Sequence, residues 1–177
     1  GHPALNTKQE ELLVGMLLGD GSISVPGKSA QIKVQQCVAQ ESYMRLKMSA
    51  FTGMAWTPIN GKSQRQANSQ VSFHLNEWRN AWYPKGKKVI PREIIKSHFS
   101  PLMLVAWYLD DGSIAINKTK KGNETNPSAF ISTQGFTKDD NEWLAEFLTS
   151  KGIKTSVHEI KAGGTFYKKQ EDKVYYR

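Results

Sequence analysis

The sequence predicts an α+β protein made of two pseudo-symmetric halves. Three observations lead there. The run LVGMLLGDGSI at Leu13 to Ile23 recurs as LVAWYLDDGSI at Leu104 to Ile114, about half a chain later, which marks an internal repeat. Each copy is a short apolar segment that ends abruptly in Asp-Gly-Ser-Ile. After each copy the spacing of apolar residues changes from helical to strictly alternating. Each half reads αββαββα with one sheet, residues 1–98 and residues 99–177. The second half is expected to be the shorter one, its last strand matching Val71 to Leu75 of the first.

The elements follow in order. Thr7 with Glu10 reads as a capping box, and the first helix runs from there to Leu18. In the second copy, Ser100 is the N-cap and Pro101 opens the first turn. Both repeat helices are apolar all round in their last two turns, so both are expected to be buried. Ile23 and Val25 alternate with Ser22 and Ser24, Pro26-Gly27-Lys28 turns the chain, and Ile32 and Val34 continue the alternation. Ile114 and Ile116 repeat that pattern, followed by a paired strand at Ala129 to Gln134. Helices are expected over Gln40 to Phe51 and over Lys138 to Ser150, the latter capped by Thr137. Further strand is expected at Ile59, at Gln70 to Leu75, at Lys154 to Lys161 and at Lys173 to Arg177. A helix near Asn76 to Trp82 closes the first half, and a linker helix leads to the second copy. Trp56, Trp78, Trp82, Trp107 and Trp143 are read as core.

Composition narrows the function. The chain has 177 residues, a net charge of +8, a 38% hydrophobic share and five Trp. It is long enough to bury a core, and its basic balance favours a polyanionic partner. The single cysteine, Cys37, excludes an internal disulfide and a cysteine-rich zinc site. The four histidines are scattered without metal-ligand spacing. The longest apolar run, Leu102 to Leu109, is too short to span a bilayer. No leader segment is evident, so an intracellular protein is expected, in an organelle or a prokaryotic cytoplasm.

The repeat itself carries the chemistry. Gly15 and Gly19 lie on one helix face, and Ala106 is the counterpart of Gly15. Small residues there let two helix backbones approach closely. Close packing brings two electronegative helix ends together and adds a carboxylate to each. Such a cluster calls for cations, and oxygen ligands without His or Cys suit Mg²⁺ rather than zinc. An isolated Asp-Gly would be read as a turn cap; two at matching repeat positions are read as a metal pair.

The two motifs, LVGMLLGDG and LVAWYLDDG, resemble those of the LAGLIDADG homing endonucleases, in particular the single-chain, two-motif members. The resemblance covers essentially the whole chain through the repeated α-β-β-α order. It implies two halves packed through the motif helices, with a saddle-shaped antiparallel sheet for DNA. It places the metal-binding carboxylates at Asp20 and Asp111, before the final glycine, with the backbone carbonyls of Gly19 and Asp110 as further ligands. Whether Asp110 or Asp111 faces the metal stays open; Asp111 is favoured because it aligns with Asp20. The resemblance also implies that Gln36 and Gln134 orient water and that Lys88 stands near the scissile phosphate. The cofactor implied is Mg²⁺, or Mn²⁺, with Ca²⁺ as a non-cleaving substitute.

The implied activity is hydrolysis of phosphodiester bonds in a long pseudo-palindromic double-stranded DNA target by a monomer. No membrane and no small-molecule cofactor are involved, and an intron-encoded form is expected. The alternative is an intron RNA maturase, or a DNA-binding protein of the same fold that does not cleave. Alternation turns Ser22, Ser24, Gln31, Lys33 and Gln35 outward in the first half, and Asn117, Ile131 and Thr133 in the second. A β-ribbon can carry such side chains into the major groove. The basic loops Gly61 to Asn68 and Lys118 to Asn123, the latter opening with Lys118, are expected to meet phosphate, and Arg65, Gln70 and Ser72 are further candidates for DNA contact.

Overall fold

The computed structural model describes residues 4–116, 127–161 and 174–176. The chain divides into two compact units, Gly1–Asp110 and Asp111–Arg177.

The first unit opens with helix α1, Thr7–Leu18. Its N-cap is Asn6, not Thr7. The Asn6 side chain accepts from the Gln9 N–H and the Gln9 side chain accepts from the Asn6 N–H, both at 3.0 Å. The reciprocal motif is present one residue earlier than expected, with Asn and Gln in place of Thr and Glu. From Leu12 to Leu18 every side chain is buried. Burial of each large apolar side chain contributes about 1.5–3 kcal/mol, which offsets the packing of a helix with no polar face. Helix α5, Pro101–Asp111, packs against it. The Met103 N–H donates to Ser100 Oγ at 3.1 Å, which confirms Ser100 as the cap.

The contact between the two helices depends on small residues. A Cβ at Gly15 would overlap the backbone carbonyl oxygen of Met103 and stand 2.7 Å from the Ala106 Cβ. A Cβ at Gly19 would stand 2.5 Å from the Asp110 Cβ. Only one face of α5 is buried, through Met103, Ala106 and Trp107. Leu102, Val105 and Leu109 are exposed, so the expectation of burial all round holds for α1 and fails for α5. Apolar composition alone does not tell a helix surrounded by neighbours from one packed on a single side.

Four strands form an antiparallel sheet in the order β1-β2-β4-β3, with β1 at Ser22–Ser24, β2 at Gln31–Cys37, β3 at Trp56–Asn60 and β4 at Gln64–Ser69. Its inner face carries Ile23, Ile32, Val34 and Ala67, all buried. Val25, expected on that face, lies past the strand end and is exposed. The segment Gly61 to Asn68 is not a loop: Gln64 to Ser69 is strand β4, closed on β3 by the Gly61 N–H donating to the Gln64 carbonyl at 2.9 Å. Residues 70–73, expected as strand, make one isolated bridge, Ala30 to Ser72, and then turn. Pro58 sits in the edge strand β3, where a missing N–H costs no ladder bond.

Helix α2, Glu41–Ala50, follows a short 3-10 turn after β2. Helix α3, His74–Trp82, and the linker helix α4, Arg92–Ser97, complete the unit. Trp82 and Trp107 are core, while Trp56 and Trp78 are half-buried.

The second unit contains the β5–β6 pair, Gly112–Ala115 with Ser128–Ile131, and helix α6, Lys138–Ser150. Thr137 caps α6, its hydroxyl accepting from the Asp140 N–H at 3.2 Å. Asn141, Leu144 and Leu148 are the buried positions of α6, and Trp143, half-buried, stacks on Phe147. Ile114 and Ile116, expected to point inward, are exposed. A short pair, β7 (Glu159–Lys161) with β8 (Val174–Tyr176), ends the described chain. No helix among the described residues is long and apolar enough to cross a membrane.

Candidate active site and nucleic-acid interface

The site forms where α1 stops. Gly19, the C-cap residue, and Gly21 flank Asp20, and the Gly21 N–H folds back onto the Met16 carbonyl at 2.7 Å. This places the Asp20 carboxylate at the end of a buried helix, beside the inner edge of β2.

Gln36 of β2 points inward with Ile32 and Val34 and is buried. Its Nε2 donates to Asp20 Oδ2 at 3.2 Å and to Asp110 Oδ1 at 3.2 Å. The glutamine thus clamps two carboxylates with one amide. Asp110 reaches the same point from the end of α5, and its Oδ2 accepts from the Asp20 backbone N–H at 3.3 Å. Lys47 of α2 closes the cluster, its Nζ 2.6 Å from Asp110 Oδ1. Lys88, in the loop between α3 and α4, donates to the carbonyls of Gly19 at 3.1 Å and Gly21 at 2.8 Å. A cation there offsets the electronegative end of α1.

The electrostatics of Asp20 follow. Burial pushes its carboxyl above the ordinary value of 3.8, and the Asp110 charge adds to that rise. Lys47, the Gln36 hydrogen bond and Lys88 oppose it. Tyr43 donates to the Ala106 carbonyl at 3.3 Å, and burial followed by Asp110 raises its hydroxyl further above its ordinary range. A carboxylate whose charge is disfavoured by desolvation and by a neighbouring carboxylate is stabilised by an arriving cation. The donors at the end of α1 are all oxygen, the chemistry of a hard divalent ion. Among the described residues no group of three or more His, Cys, Asp or Glu is placed to hold a metal by itself.

Asp20 opens onto a cleft of about 340 Å³ lined by Ser22, Lys33, Gln35, Gln36, Cys37, Gln40 and Gln64. Ser22, Lys33, Gln35, Cys37 and Gln64 of this lining lie on the outer face of the sheet. Register aligns Ser22 with Lys33 and Asn68, Ser24 with Gln31, Gln35 with Gln66, and Cys37 with Gln64. The five first-half residues expected to face outward all do so. Gln64, Gln66, Asn68 and Thr57 share that face, three of them in the segment that the sequence pattern assigns to a loop. The alternation was present in Gln64-Arg65-Gln66-Ala67-Asn68-Ser69, but small and polar inner residues hid it.

Other expected contacts lie elsewhere. Arg65 pairs with the inward Gln36 position and faces α2, where its Nε lies 3.0 Å from Glu41 Oε2. That pair and Arg45 hold the Glu41 carboxyl below its usual range, the Arg45 hydrogen bond being the larger cause. Ser72 is buried, and its hydroxyl accepts from the His74 N–H at 3.3 Å. Neither residue presents its polar group on the outer face. Gln70 is half-buried, its amide donating to the Gly53 carbonyl at 3.4 Å.

In the second unit, Thr133 is buried, its carbonyl accepting from Phe136 N–H at 3.1 Å. That placement removes it from an exposed polar surface. Gln134 is exposed, in the turn before α6, and Ile131 is half-buried in β6. Asp111 opens this unit, and its carbonyl accepts from Ser132 N–H at 2.9 Å. Asn117 and Lys118 lie outside the described residues.

Comparison with known proteins identifies the family. The model of the LAGLIDADG DNA endonuclease family matches residues 10–173. The protein RecA of Mycobacterium gastri is 32% identical over 118 residues, which covers 63% of this chain and 28% of that protein. The cytochrome b mRNA maturase bI2 of Debaryomyces hansenii is 29% identical over 174 residues, 89% of this chain and 62% of that protein. This chain therefore spans less than two thirds of either relative. Among solved structures, the homing endonuclease I-WcaI bound to its DNA recognition sequence superposes with a TM-score of 0.67 at 18% identity, covering 98% of this chain and 76% of that one. At that identity the likeness speaks to the fold. With a family model matching nearly the whole length, and two motif helices packed through Gly15 and Ala106, the chain belongs to the LAGLIDADG DNA endonuclease family.

Proposed function

We propose that this protein is a site-specific, divalent-metal-dependent endonuclease that hydrolyses phosphodiester bonds in a long double-stranded DNA target. The observation that carries the reading is the position of Asp20. It is a solvent-accessible carboxylate at the mouth of a polar cleft, flanked by Gln36 and by the Lys88 ammonium. Asp20 binds the ion, and Asp111, its counterpart before glycine in the second motif, contributes the matching carboxylate. The carbonyls of Gly19 and Asp110 would be the further protein ligands. When bound, Mg²⁺ or Mn²⁺ lowers the pKa of a coordinated water and stabilises charge on the leaving oxygen.

The chain's own residues do the rest. Gln36 holds the Asp20 carboxylate in orientation through its amide. Lys88 sets a positive charge against the turn that carries Asp20, where it stabilises charge developing on a phosphate. Gln134 is assigned the water-orienting place in the second half. Ser22, Ser24, Gln31, Lys33 and Gln35, joined by Gln64, Gln66 and Asn68, present donors and acceptors to base edges. A monomer working in an organelle or a prokaryotic cytoplasm fits this reading.

The maturase relative favours a second reading, in which the same face holds intron RNA and cleavage is absent. A selection on a randomised DNA library, with and without Mg²⁺, separates the two. Double-strand cuts at one sequence motif, dependent on the ion, support the endonuclease. Salt-sensitive capture of RNA, with no DNA cut under any divalent ion, overturns it in favour of the maturase.

A further inference from the structure

The most buried charges in the first unit lie beneath the site. The side chains of Lys47 and Asp110 are 2% and 0% exposed, and their charged atoms are 2.6 Å apart. Lys47 Nζ also stands 4.4 Å from the centre of the Tyr43 ring, a second favourable contact for a desolvated ammonium.

Both carboxylate oxygens of Asp110 accept hydrogen bonds. Oδ1 accepts from Lys47 and from Gln36, and Oδ2 accepts from the backbone N–H of Asp20. It occupies the repeat position that is glycine in the first motif, Gly19, and the two stand directly against each other. The Asp110 carboxylate thus fills a place that the first motif leaves empty, and Lys47 supplies the charge that lets it stay there. Burying either partner without the other leaves an uncompensated charge, the costly case for an interior ion pair.

We propose that Lys47 and Asp110 form a neutral positioning pair that fixes the Asp20 backbone and the Gln36 amide, with the Asp110 carboxylate withheld from the metal. The inference rests on the reading of Asp20 as a metal-binding carboxylate. Lys47 touches no substrate. It acts through Asp110, whose Oδ2 holds the Asp20 N–H and whose Oδ1 shares the Gln36 amide. The pair has a direct electrostatic consequence: a single acidic charge, that of Asp20, faces an incoming ion from this cluster. Without Lys47, the Asp110 charge is released beside it.

The test uses the full chain and three variants, Lys47→Met, Asp110→Asn and the double variant. Mn²⁺ affinity is measured by calorimetry without DNA, and single-turnover cleavage is measured on the selected DNA. Lys47→Met is expected to bind Mn²⁺ about fivefold tighter or more, because an extra carboxylate charge then faces the ion. Its cleavage is expected to slow by about 100-fold, because a misplaced catalytic group carries a penalty of that order. The double variant is expected to return Mn²⁺ affinity to within about twofold of wild type and to cleave about tenfold faster than Lys47→Met, as removal of both charges restores neutrality. Asp110→Asn alone leaves the Lys47 charge unpaired and is expected to weaken Mn²⁺ binding.

Unchanged Mn²⁺ affinity and cleavage in Lys47→Met overturn the proposal. So does a double variant as impaired as Lys47→Met. If Lys47→Met does not fold and the double variant does, the pairing is supported directly; if neither folds, the rescue has failed and the pair is refuted. A wild-type chain that cuts no DNA removes the endonuclease reading while the Mn²⁺ series still decides on the pair.

Discussion

Substitution of Gly15 by alanine adds one methyl group at the closest approach of the two motif helices. That methyl would overlap the Met103 carbonyl oxygen and lie 2.7 Å from the Ala106 Cβ, against an ordinary contact of 3.4 Å or more. The helices must part by more than about 0.7 Å at this point, because the Met103 oxygen is nearer still. The obstacle is backbone, so no rotamer change relieves it. Overpacking a well-filled core costs about 1–3 kcal/mol, and the rigid carbonyl puts Gly15→Ala toward the upper end. For a unit of this size each kcal/mol lowers Tm by about 4–8 °C, so a fall of roughly 10–20 °C is expected. Gly27→Ala is the control, since a Cβ there meets nothing within 4 Å. Thermal denaturation followed by far-UV circular dichroism reads both. A Gly15→Ala protein that melts within about 2 °C of wild type, an effect below 1 kcal/mol, would refute the packing argument. So would a Gly27→Ala protein that loses as much.

Two further predictions follow from the site. Asp20 in the metal-free protein is expected to titrate above 3.8, because burial and Asp110 both disfavour its charge. Its protonated form therefore favours the folded state. That contribution is complete below 3.8 and is lost as pH rises through the native value. Carbon-detected NMR of the carboxyl group reads the midpoint directly, and a midpoint at or below 3.8 contradicts the burial described for it. The two sides of β4 are expected to behave differently. Arg65→Ala removes the Glu41 ion pair and lowers Tm with little change in DNA sequence preference. Asn68→Ala, on the outer face, relaxes preference at one base position by about 1–3 kcal/mol with little change in Tm. Parallel melting and binding-site profiling separate them, and the reverse assignment of effects would show that the face has been read backwards.

The sequence carried the fold to differing depths in its two halves. The repeat, both motif helices, α2, α6 and the β1–β2 hairpin follow from periodicity and capping, and each stands within a few residues of its expected place. Strand β4 was hidden because its inner residues are small or polar, Ala67 and Ser69, so the alternation lacked an apolar signal. The stretch after it looked like strand through Val71 and Phe73, yet both are exposed and the chain turns at Ser72.

At the site, Asp20 and Gln36 were legible from repeat position and Lys88 from the family resemblance of its Lys-Lys-Val-Ile-Pro segment, and the structure brings all three to the end of α1. Lys47 was not legible. A lysine on an amphipathic helix is ordinarily solvated, and only the fold reveals that this one points inward to a carboxylate contributed from the far end of the unit. The role of Asp110 was equally closed to inspection, since adjacent acids before a glycine look alike until one is seen buried against Lys47.

The central claim is that Asp20 serves chemistry more than folding. Asp20→Asn keeps the size of the side chain and removes the charge, and Asp111→Asn does the same in the second motif. The direct measurement is single-turnover cleavage of the selected DNA with Mg²⁺, paired with equilibrium binding to the same DNA in Ca²⁺. Each variant is expected to lose cleavage by about 1,000-fold or more, in line with removal of a group that acts mainly in the transition state. Binding is expected to stay within about threefold of wild type, because phosphate and base contacts lie on other residues. Cleavage at the wild-type rate in Asp20→Asn would contradict the assignment outright.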